Sequence, residues 1–531
     1  MVELPSLVVL MILSGPALTL PDRLDALLEA GLARDPEGPA LQDLHTSLSW
    51  QQLSERVEQL SAAYATMPLK AGDRVASLMP NRVELVIHYL ACLRLGLVIT
   101  PLNYRYVVPE IDHALRVSGA VLLLYHQERL ADLEATELAG SLPLGLIRFK
   151  DGQTGPAAEG ERSLEDLMVT PATGAKPPCL PIEAPAIIYF TSGSTAKPKG
   201  VTHSRASYGA TLASLAQAME YMPGESLTVG CSLAHAAASM YGLAALSVGA
   251  TLVVATESDN HALEALLHHR KPNLLLMLPA PLMGLIHDRD LDPADFAYVR
   301  LCISGGDKVP LQLQRDFKTA VGFSIDECFG MSECGVATMS PPSGENRVGS
   351  VGRVCPGFEC SIRDEEGREL PVGAEGKLWL RSASVMTGYW DNPTATAETI
   401  VDGWLDTGDE MRLDADGYLW FCGRRKQIIV HDASNISPQD VEDALCEHPA
   451  VELAGAIGIH DVMHGENVRA YITLQQGAQA PMAAELIGFA RERIGYKAPE
   501  EIVVLDEMPL NPSGKVDRVA LKAMAAEAPK S

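Results

Sequence analysis

A basic surplus is missing from this chain. Its 531 residues carry 42 lysines and arginines against 68 acidic residues, a formal net charge of -26. A surface of that sign repels the phosphates of nucleic acids and anionic lipids, so neither is expected as a partner. An anionic small molecule must then be held by local donors rather than by the overall field. Closely spaced cysteines are missing as well. The ten cysteines are scattered, which reads as reduced, small, buried thiols in a cytoplasmic protein. Long unbroken apolar runs are also absent. Leu4 to Leu20 is apolar but interrupted by Pro5, Gly15 and Pro16, and Met1-Val2-Glu3 supplies no basic start. It fits neither a signal peptide nor a spanning helix, and a buried or interface segment is expected. There is no internal repeat and no low-complexity block.

What is present is the composition of a soluble globular protein, 47 % hydrophobic and 21 % charged. The length exceeds one compact core, so more than one domain is expected. Helical patterns alternate with short apolar runs from residue 21 to 125, as in Asp22–Gly31, Trp50–Ala65, the strand-like Arg74–Met79 and the amphipathic Asn81–Leu95. That alternation predicts βαβ units. Gly152 to Pro185 is rich in Gly, Pro, Ala and Glu and reads as a surface connection. Alternation resumes from Ile187 to Gly330, with strands expected at Leu252–Ala255, Leu274–Leu278 and Arg300–Ser304. Beyond Gly349 the texture turns to short strands such as Glu359–Arg363, Lys377–Arg381 and Gly417–Cys422. The last hundred or so residues mix helices (Pro438–Glu447, Ala483–Arg493) with strands (Ala454–Ile459, Arg469–Leu474, Ile502–Leu505).

One stretch carries more chemistry than any other. Phe190-Thr191-Ser192-Gly193-Ser194-Thr195-Ala196-Lys197-Pro198-Lys199-Gly200 packs four hydroxyls, two glycines and two lysines into eleven residues. Consecutive backbone N–H groups in such a loop form an anion-binding concavity, and hydroxyls and ammonium groups add charge-assisted donors. The apolar run before it and a helix expected from Ser204 to Tyr221 predict the order strand, loop, helix, with a helix N-terminus nearby to favour negative charge. A polar turn is the bland alternative, but Lys-Pro-Lys-Gly is unusual punctuation for one. The common nucleotide P-loop is excluded, because Pro198 stands where that motif needs glycine. The stretch reads as a triphosphate cradle.

This loop resembles the phosphate loop of the adenylate-forming enzymes: acyl-CoA synthetases, non-ribosomal adenylation domains and luciferases. Further segments match the family in the family's order. Glu327-Cys328-Phe329-Gly330-Met331-Ser332-Glu333 is similar to its aromatic-Gly-x-Thr-Glu motif, with Ser for Thr. The resemblance implies Phe329 stacking on adenine, Gly330 giving close backbone approach, Ser332 offering a hydroxyl, and Glu333 as a Mg²⁺ ligand. Ser304-Gly305-Gly306-Asp307 resembles the wall along adenine and the acyl group. Gly403-Trp404-Leu405-Asp406-Thr407-Gly408-Asp409 matches Trp-x-x-Thr-Gly-Asp, implying that Asp409 accepts from the ribose hydroxyls. Gly423-Arg424-Arg425-Lys426 resembles the Gly-Arg-x-Lys step, with Arg424 a donor to ribose or phosphate and Lys426 at the domain hinge. Asn511-Pro512-Ser513-Gly514-Lys515 is similar to the terminal motif whose lysine enters the site, so Lys515 is the main catalytic candidate. Ser232-Leu233-Ala234-His235 resembles the segment whose histidine gates the acyl pocket. Gly376–Trp390 resembles the Gly-Tyr-Trp stretch and reads as structural.

The resemblance implies an α/β protein with a large multi-layer N-terminal region, residues 1–425, that includes a β-rich subdomain over 350–425. A small mobile α+β domain, 426–531, would turn about Lys426. The implied activity is a carboxylic acid:CoA ligase using ATP, Mg²⁺ and coenzyme A, with an amine or carrier-protein thiol as the alternative acceptor. No fused carrier domain is expected after Lys515, and a homodimer is a family-level expectation. One departure concerns CoA: Asp432 and Ala433 stand in the loop Val430–Asn435 where the family usually has glycine. A Cβ and a carboxylate there would narrow the thiol passage or repel the CoA phosphates. Small residues at His235–Met240 and the apolar Leu274–Pro281 suggest an apolar acid, medium-chain or aromatic. No lysine or arginine in these segments would pair a second carboxylate.

Overall fold

The computed structural model describes Leu13–Ser14 and residues 23 to 527, apart from 153–161, 170, 172–176, 192–197, 223, 256–259, 288–291, 307–308, 425–426, 428, 432–433, 462–464 and 512–513. Most of the apolar N-terminal segment lies outside the described residues. Its strand Leu13–Ser14 pairs antiparallel with Phe358–Arg363. No helix among the described residues is long and apolar enough to cross a membrane. All ten cysteines are free thiols.

Two mostly parallel sheets dominate. The eight-stranded one runs, edge to edge, Gly388–Tyr389, Lys199–Ser204, Pro185–Thr191, Val98–Pro101, Arg74–Leu78, Leu122–His126, Leu146–Phe149 and Arg162–Ser163. The nine-stranded one runs Arg353–Val354, Gly335–Met339, Asp326–Met331, Leu301–Gly305, Leu274–Met277, Ser226–Val229, Thr251–Val254, Pro39–Gln42 and Ser47–Ser49. Their central strands are buried apolar runs such as Leu122–His126 and Leu274–Met277, the pattern of parallel strands covered on both faces.

Helices fill the space between the sheets. Val83–Leu95 buries Val83 and every residue from Leu85 to Leu93, and a helix apolar all round belongs in an interior. It stops at Gly96, whose left-handed φ of +69° only glycine adopts without strain. Trp50–Ala65 starts at Ser49, whose hydroxyl accepts from the Gln52 N–H while the Gln52 side chain accepts from the Ser49 N–H. Arg205–Ala218 and Ala236–Ser247 complete the layer. One continuous core joins Leu122 and Ile187 from one sheet, Leu227 and Leu274 from the other, and Tyr89, Leu212 and Tyr241 from the helices.

His88 lies in this interior with Nδ1 2.9 Å from the Tyr64 hydroxyl. Burial pushes its pKa from the ordinary 6.5 to about 3. The unfolded chain therefore binds this proton first, and stability falls as pH drops from about 6.5 toward 3, with a slope of about 1.4 kcal/mol per pH unit. Thermal unfolding between pH 6.5 and 4.5 should show a shallower pH dependence in His88→Leu than in the parent protein. An identical slope would exclude this histidine as a source of acid lability.

A third, antiparallel sheet contains Phe358–Arg363, Glu375–Ser382, Ile400–Val401, Trp404–Leu413 and Leu419–Arg424. The C-terminal lobe has its own sheet of five strands: Ile429–His431, Ser434–Ile436, Val451–Asp461, Gly465–Leu474 and Glu501–Val504. Its core is separate, built on Val441, Leu445, Ala456, Ile472 and Leu486.

Most expected elements lie within a few residues of their observed bounds, and two expectations are corrected. Asp22–Gly31 is a 3-10 turn, Leu24–Ala26, followed by a helix displaced to Glu29–Arg34. Gly152–Pro185 is more than a surface connection. It contributes the edge strand Arg162–Ser163 and the helical turn Leu164–Leu167, capped by Ser163 and anchored by buried Leu164.

Candidate active site

In α/β folds ligands bind beyond the carboxyl ends of the parallel strands, and Pro185–Thr191 is one of those strands. The expected order strand, loop, helix is corrected here. A second strand, Lys199–Ser204, returns antiparallel with Thr191 opposite Lys199 and Phe190 opposite Gly200. The helix Arg205–Ala218 starts only after that strand, about 20 Å of chain beyond the loop at ~3.3 Å per residue. The helix N-terminus therefore follows a strand rather than the loop itself. Ser192, Gly193, Ser194, Thr195 and Lys197 lie outside the described residues. At the loop's far end, the His113 ring donates from Nε2 to the Pro198 carbonyl at 2.8 Å.

Ser332 and Glu333 form the turn between Asp326–Met331 and Gly335–Met339. The Glu333 side of this turn is buried, with 7 % of the residue exposed. Tyr389 donates its hydroxyl to Glu333 Oε1 at 2.9 Å. The His203 ring donates from Nε2 to the Ser332 carbonyl at 2.7 Å, and burial holds this imidazole neutral, with its pKa pushed down to about 4. Asp409, 3 % exposed, lies on Trp404–Leu413 with its N–H on the Thr407 hydroxyl at 3.2 Å. The Cys334 thiol pKa is raised by burial first, then by the Glu333 carboxylate and, more weakly, by Asp409.

Phe329 and Gly330 sit at an irregularity in the pairing with Gly335–Met339. A side chain at Gly330 would overlap the Gly335 carbonyl and Val336, and one at Gly305 would meet Cys328 O and Sγ at 2.5 Å. Gly306 takes a left-handed φ of +79°. These two sequence segments therefore do meet as one wall. Asp307 lies outside the described residues. Glu327 is engaged inside the fold, where Oε1 accepts from Gln314 Nε2 at 3.0 Å and from the Gly349 N–H at 3.1 Å. The backbone of Arg424 pairs opposite Asp409; its side chain, Lys426, Asp432 and Ala433 are outside the described residues. The strands flanking Asp432-Ala433 pair as a hairpin, His431 opposite Ser434.

His235 caps the helix Ala236–Ser247 with extended dihedrals, and its N–H donates to the Ser232 carbonyl at 2.9 Å. Its pKa is pushed to about 4, by burial first, then by the Lys515 ammonium and the Arg105 guanidinium. Lys515 belongs to the other lobe. It sits on a turn in which its N–H donates to Asn511 Oδ1 at 3.1 Å and its carbonyl accepts from the Asn511 N–H at 2.7 Å. Gly514 supplies the left-handed φ of +84° that this turn requires.

Sequence reasoning missed Tyr389 as a partner of Glu333, and it missed His203, His113, Arg105 and Asn81. Asn81 is buried at a strand end. Its amide donates to the Cys231 and Ala255 carbonyls at 2.9 and 2.7 Å and accepts from the Leu233 N–H at 2.8 Å. The only local signal was its place just after Met79-Pro80, where the strand stops.

Two lobes with separate cores, the larger built on two mostly parallel sheets, frame these side chains. The chain belongs to the AMP-binding enzymes: the family's main model matches residues 28–390, and the model of the AMP-binding enzyme C-terminal domain matches 440–515. It is 31 % identical over 491 residues to a feruloyl-CoA synthase of Amycolatopsis sp, covering 91 % of this chain and 94 % of that one. A long-chain-fatty-acid–CoA ligase of Bacillus subtilis is 28 % identical over 533 residues, covering 94 % of each. Among solved structures, an anthranilate CoA ligase in complex with anthranoyl-AMP superposes with a TM-score of 0.87 at 25 % identity, over 96 % of this chain and 98 % of that one.

The family implies Mg²⁺ with the nucleotide. Among the described residues no group of three or more His, Cys, Asp or Glu could hold a metal by itself. Magnesium is commonly held by one or two carboxylates together with substrate phosphates. A pinned Glu333 carboxylate near a phosphate-binding loop is a donor set that fits.

Proposed function

We propose that the protein is an AMP-forming acid–CoA ligase, which joins a carboxylic acid to AMP with loss of pyrophosphate and then passes the acyl group to the CoA thiol. The observation that carries this reading is the Lys515 turn of the C-terminal lobe, closed on Asn511 through both N–H and carbonyl, together with the lowering of the His235 pKa by the Lys515 ammonium from the start of Ala236–Ser247 in the large lobe. A cation delivered across a lobe boundary suits a reaction in which a carboxylate meets an α-phosphate and charge must be neutralised. In this reading Asp409 and Arg424 hold the ribose, and Phe329, Gly305 and Gly306 line adenine. Thr191 to Lys199 take the β- and γ-phosphates. Glu333 holds the magnesium ion and Ser332 orients a phosphate or carboxylate oxygen. The boundary falls near residues 425–426, and the small lobe turns about Lys426 so that CoA replaces Lys515 for the second step.

The acid is proposed to be apolar, aromatic or medium-chain. Buried Ala236, Ala238 and Met240 behind His235 support this, as do the feruloyl, fatty-acid and anthranilate relatives. Arg105 beside His235 is a cation that the sequence segments did not reveal, so malonate belongs in any acid panel. A cytoplasmic location and a homodimer complete the proposal. The test is acid-dependent ATP–pyrophosphate exchange, followed by detection of acyl-CoA on adding CoA. Exchange with ferulate or a fatty acid and a CoA-dependent thioester are expected. Exchange without thioester would remove CoA as acceptor, and preference for malonate would overturn the apolar pocket.

A further inference from the structure

The Ser332–Glu333 turn is fixed by three hydrogen bonds that come from two neighbouring segments. His203 on Lys199–Ser204 holds the Ser332 carbonyl at 2.7 Å. The Met386 N–H holds the Glu333 carbonyl at 2.7 Å. The Tyr389 hydroxyl holds the Glu333 carboxylate at 2.9 Å. The two segments are themselves zipped together. Val201 and Thr202 pair with Tyr389 and Gly388, the Thr387 N–H and hydroxyl both donate to the Thr202 carbonyl at 2.8 and 2.9 Å, and the Trp390 N–H donates to Gly200 at 2.7 Å.

Tyr389 makes a second contact on the same edge. The Lys199 ammonium lies 4.4 Å from the centre of its ring, in cation–π range. One buried side chain therefore touches both the lysine that closes the phosphate loop and the carboxylate that faces it from the other sheet. The ring under the ammonium and the hydroxyl on the carboxylate give one side chain a hold on both charged groups.

We propose that Tyr389 is a positioning residue for the adenylation step, setting the Glu333 carboxylate in register with the phosphate loop through its hydroxyl and steadying Lys199 through its ring. This rests on the proposed role of Glu333 toward magnesium. It separates the two functions of one side chain, because Tyr389→Phe removes the hydroxyl and keeps the ring, whereas Tyr389→Leu removes both.

The test measures binding rather than turnover. Mn²⁺ affinity of the full-length protein saturated with a non-hydrolysable ATP analogue is read by electron paramagnetic resonance, and metal-free binding of the analogue by calorimetry. Removing an outer hydrogen-bond partner of a ligating group usually weakens metal affinity 10- to 100-fold. Tyr389→Phe is expected to weaken Mn²⁺ about tenfold and leave metal-free analogue binding within about twofold. Tyr389→Leu should weaken both. His203→Gln, which disturbs the same turn through the Ser332 carbonyl, is an independent arm expected to act in the same direction as Tyr389→Phe. Glu333→Gln is the comparator. If Glu333→Gln weakens Mn²⁺ and Tyr389→Phe does not, the proposal falls while the reading of Glu333 stands. If neither does, the assignment of Glu333 falls and takes the proposal with it. Circular dichroism and thermal melting identify any variant that has lost the fold.

Discussion

Lys515→Ala is expected to lower acid-dependent ATP–pyrophosphate exchange about 10²- to 10³-fold, the usual cost of removing one preorganised group aimed at developing charge. The lysine sits on a five-residue turn whose ends are closed by Asn511 through both its backbone and its side chain. Its main chain is therefore fixed, and its ammonium acts on His235 of the other lobe, whose pKa it lowers. The neighbouring His235 is neutral well below physiological pH, so it offers no replacement cation. The effect should fall on the rate, with KM for ATP changing little, because the proposed nucleotide contacts belong to the large lobe. A second readout localises the loss: transfer from added acyl-adenylate to CoA should survive the substitution, since the proposed role of Lys515 ends when pyrophosphate leaves. Exchange at the parent rate would strip Lys515 of its role, and equal loss of both half-reactions would make it structural.

Asp409→Asn should instead appear in nucleotide affinity, raising KM for ATP about 10- to 100-fold. A hydrogen bond to a charged group contributes about 1.5–3 kcal/mol, and each 1.4 kcal/mol is a factor of ten. Asp409 is buried on a strand whose local geometry is fixed by Thr407, which donates its hydroxyl to the Leu378 carbonyl at 2.8 Å. Asparagine at this position keeps the side chain's shape while surrendering its charge and one acceptor. Calorimetric titration with ATP and with 2′,3′-dideoxy-ATP checks the role directly. The dideoxy nucleotide should bind parent and variant alike. A penalty of equal size for both nucleotides would show that Asp409 does not read the ribose.

The proposed site residues were legible as short, ordered motifs: glycines 305, 306 and 330, the carboxylates 333 and 409 and the lysine 515. The fold brings two of those motifs together, with Gly305 against Cys328 and Gly330 against Gly335 and Val336. Helices and strands were legible where periodicity was long, as in Trp50–Ala65, and blurred where it was short, as in the split helix after Arg23. The helix expected behind the phosphate loop failed for a physical reason. Lys199–Ser204 is short, with Val201 as its one aliphatic side chain, and its pairing with Pro185–Thr191 on one side and Gly388–Tyr389 on the other makes it a strand. Long-range pairing leaves no local signature. The same holds for Tyr389, which reads as structural in a Gly-Tyr-Trp stretch and is found on Glu333, 56 positions away along the chain.

Asn81 has a consequence for how such an enzyme can move. With both amide protons and its oxygen spent on Cys231, Ala255 and Leu233, it rivets the rim of one β-layer to two loops of the other. A seam of hydrocarbon alone tolerates sliding, whereas three directional bonds on one planar group do not. The two β-layers of the large lobe are therefore clamped like one jaw of a vise, and in the proposed reading the travel between co-substrates falls to the small carboxy-terminal body.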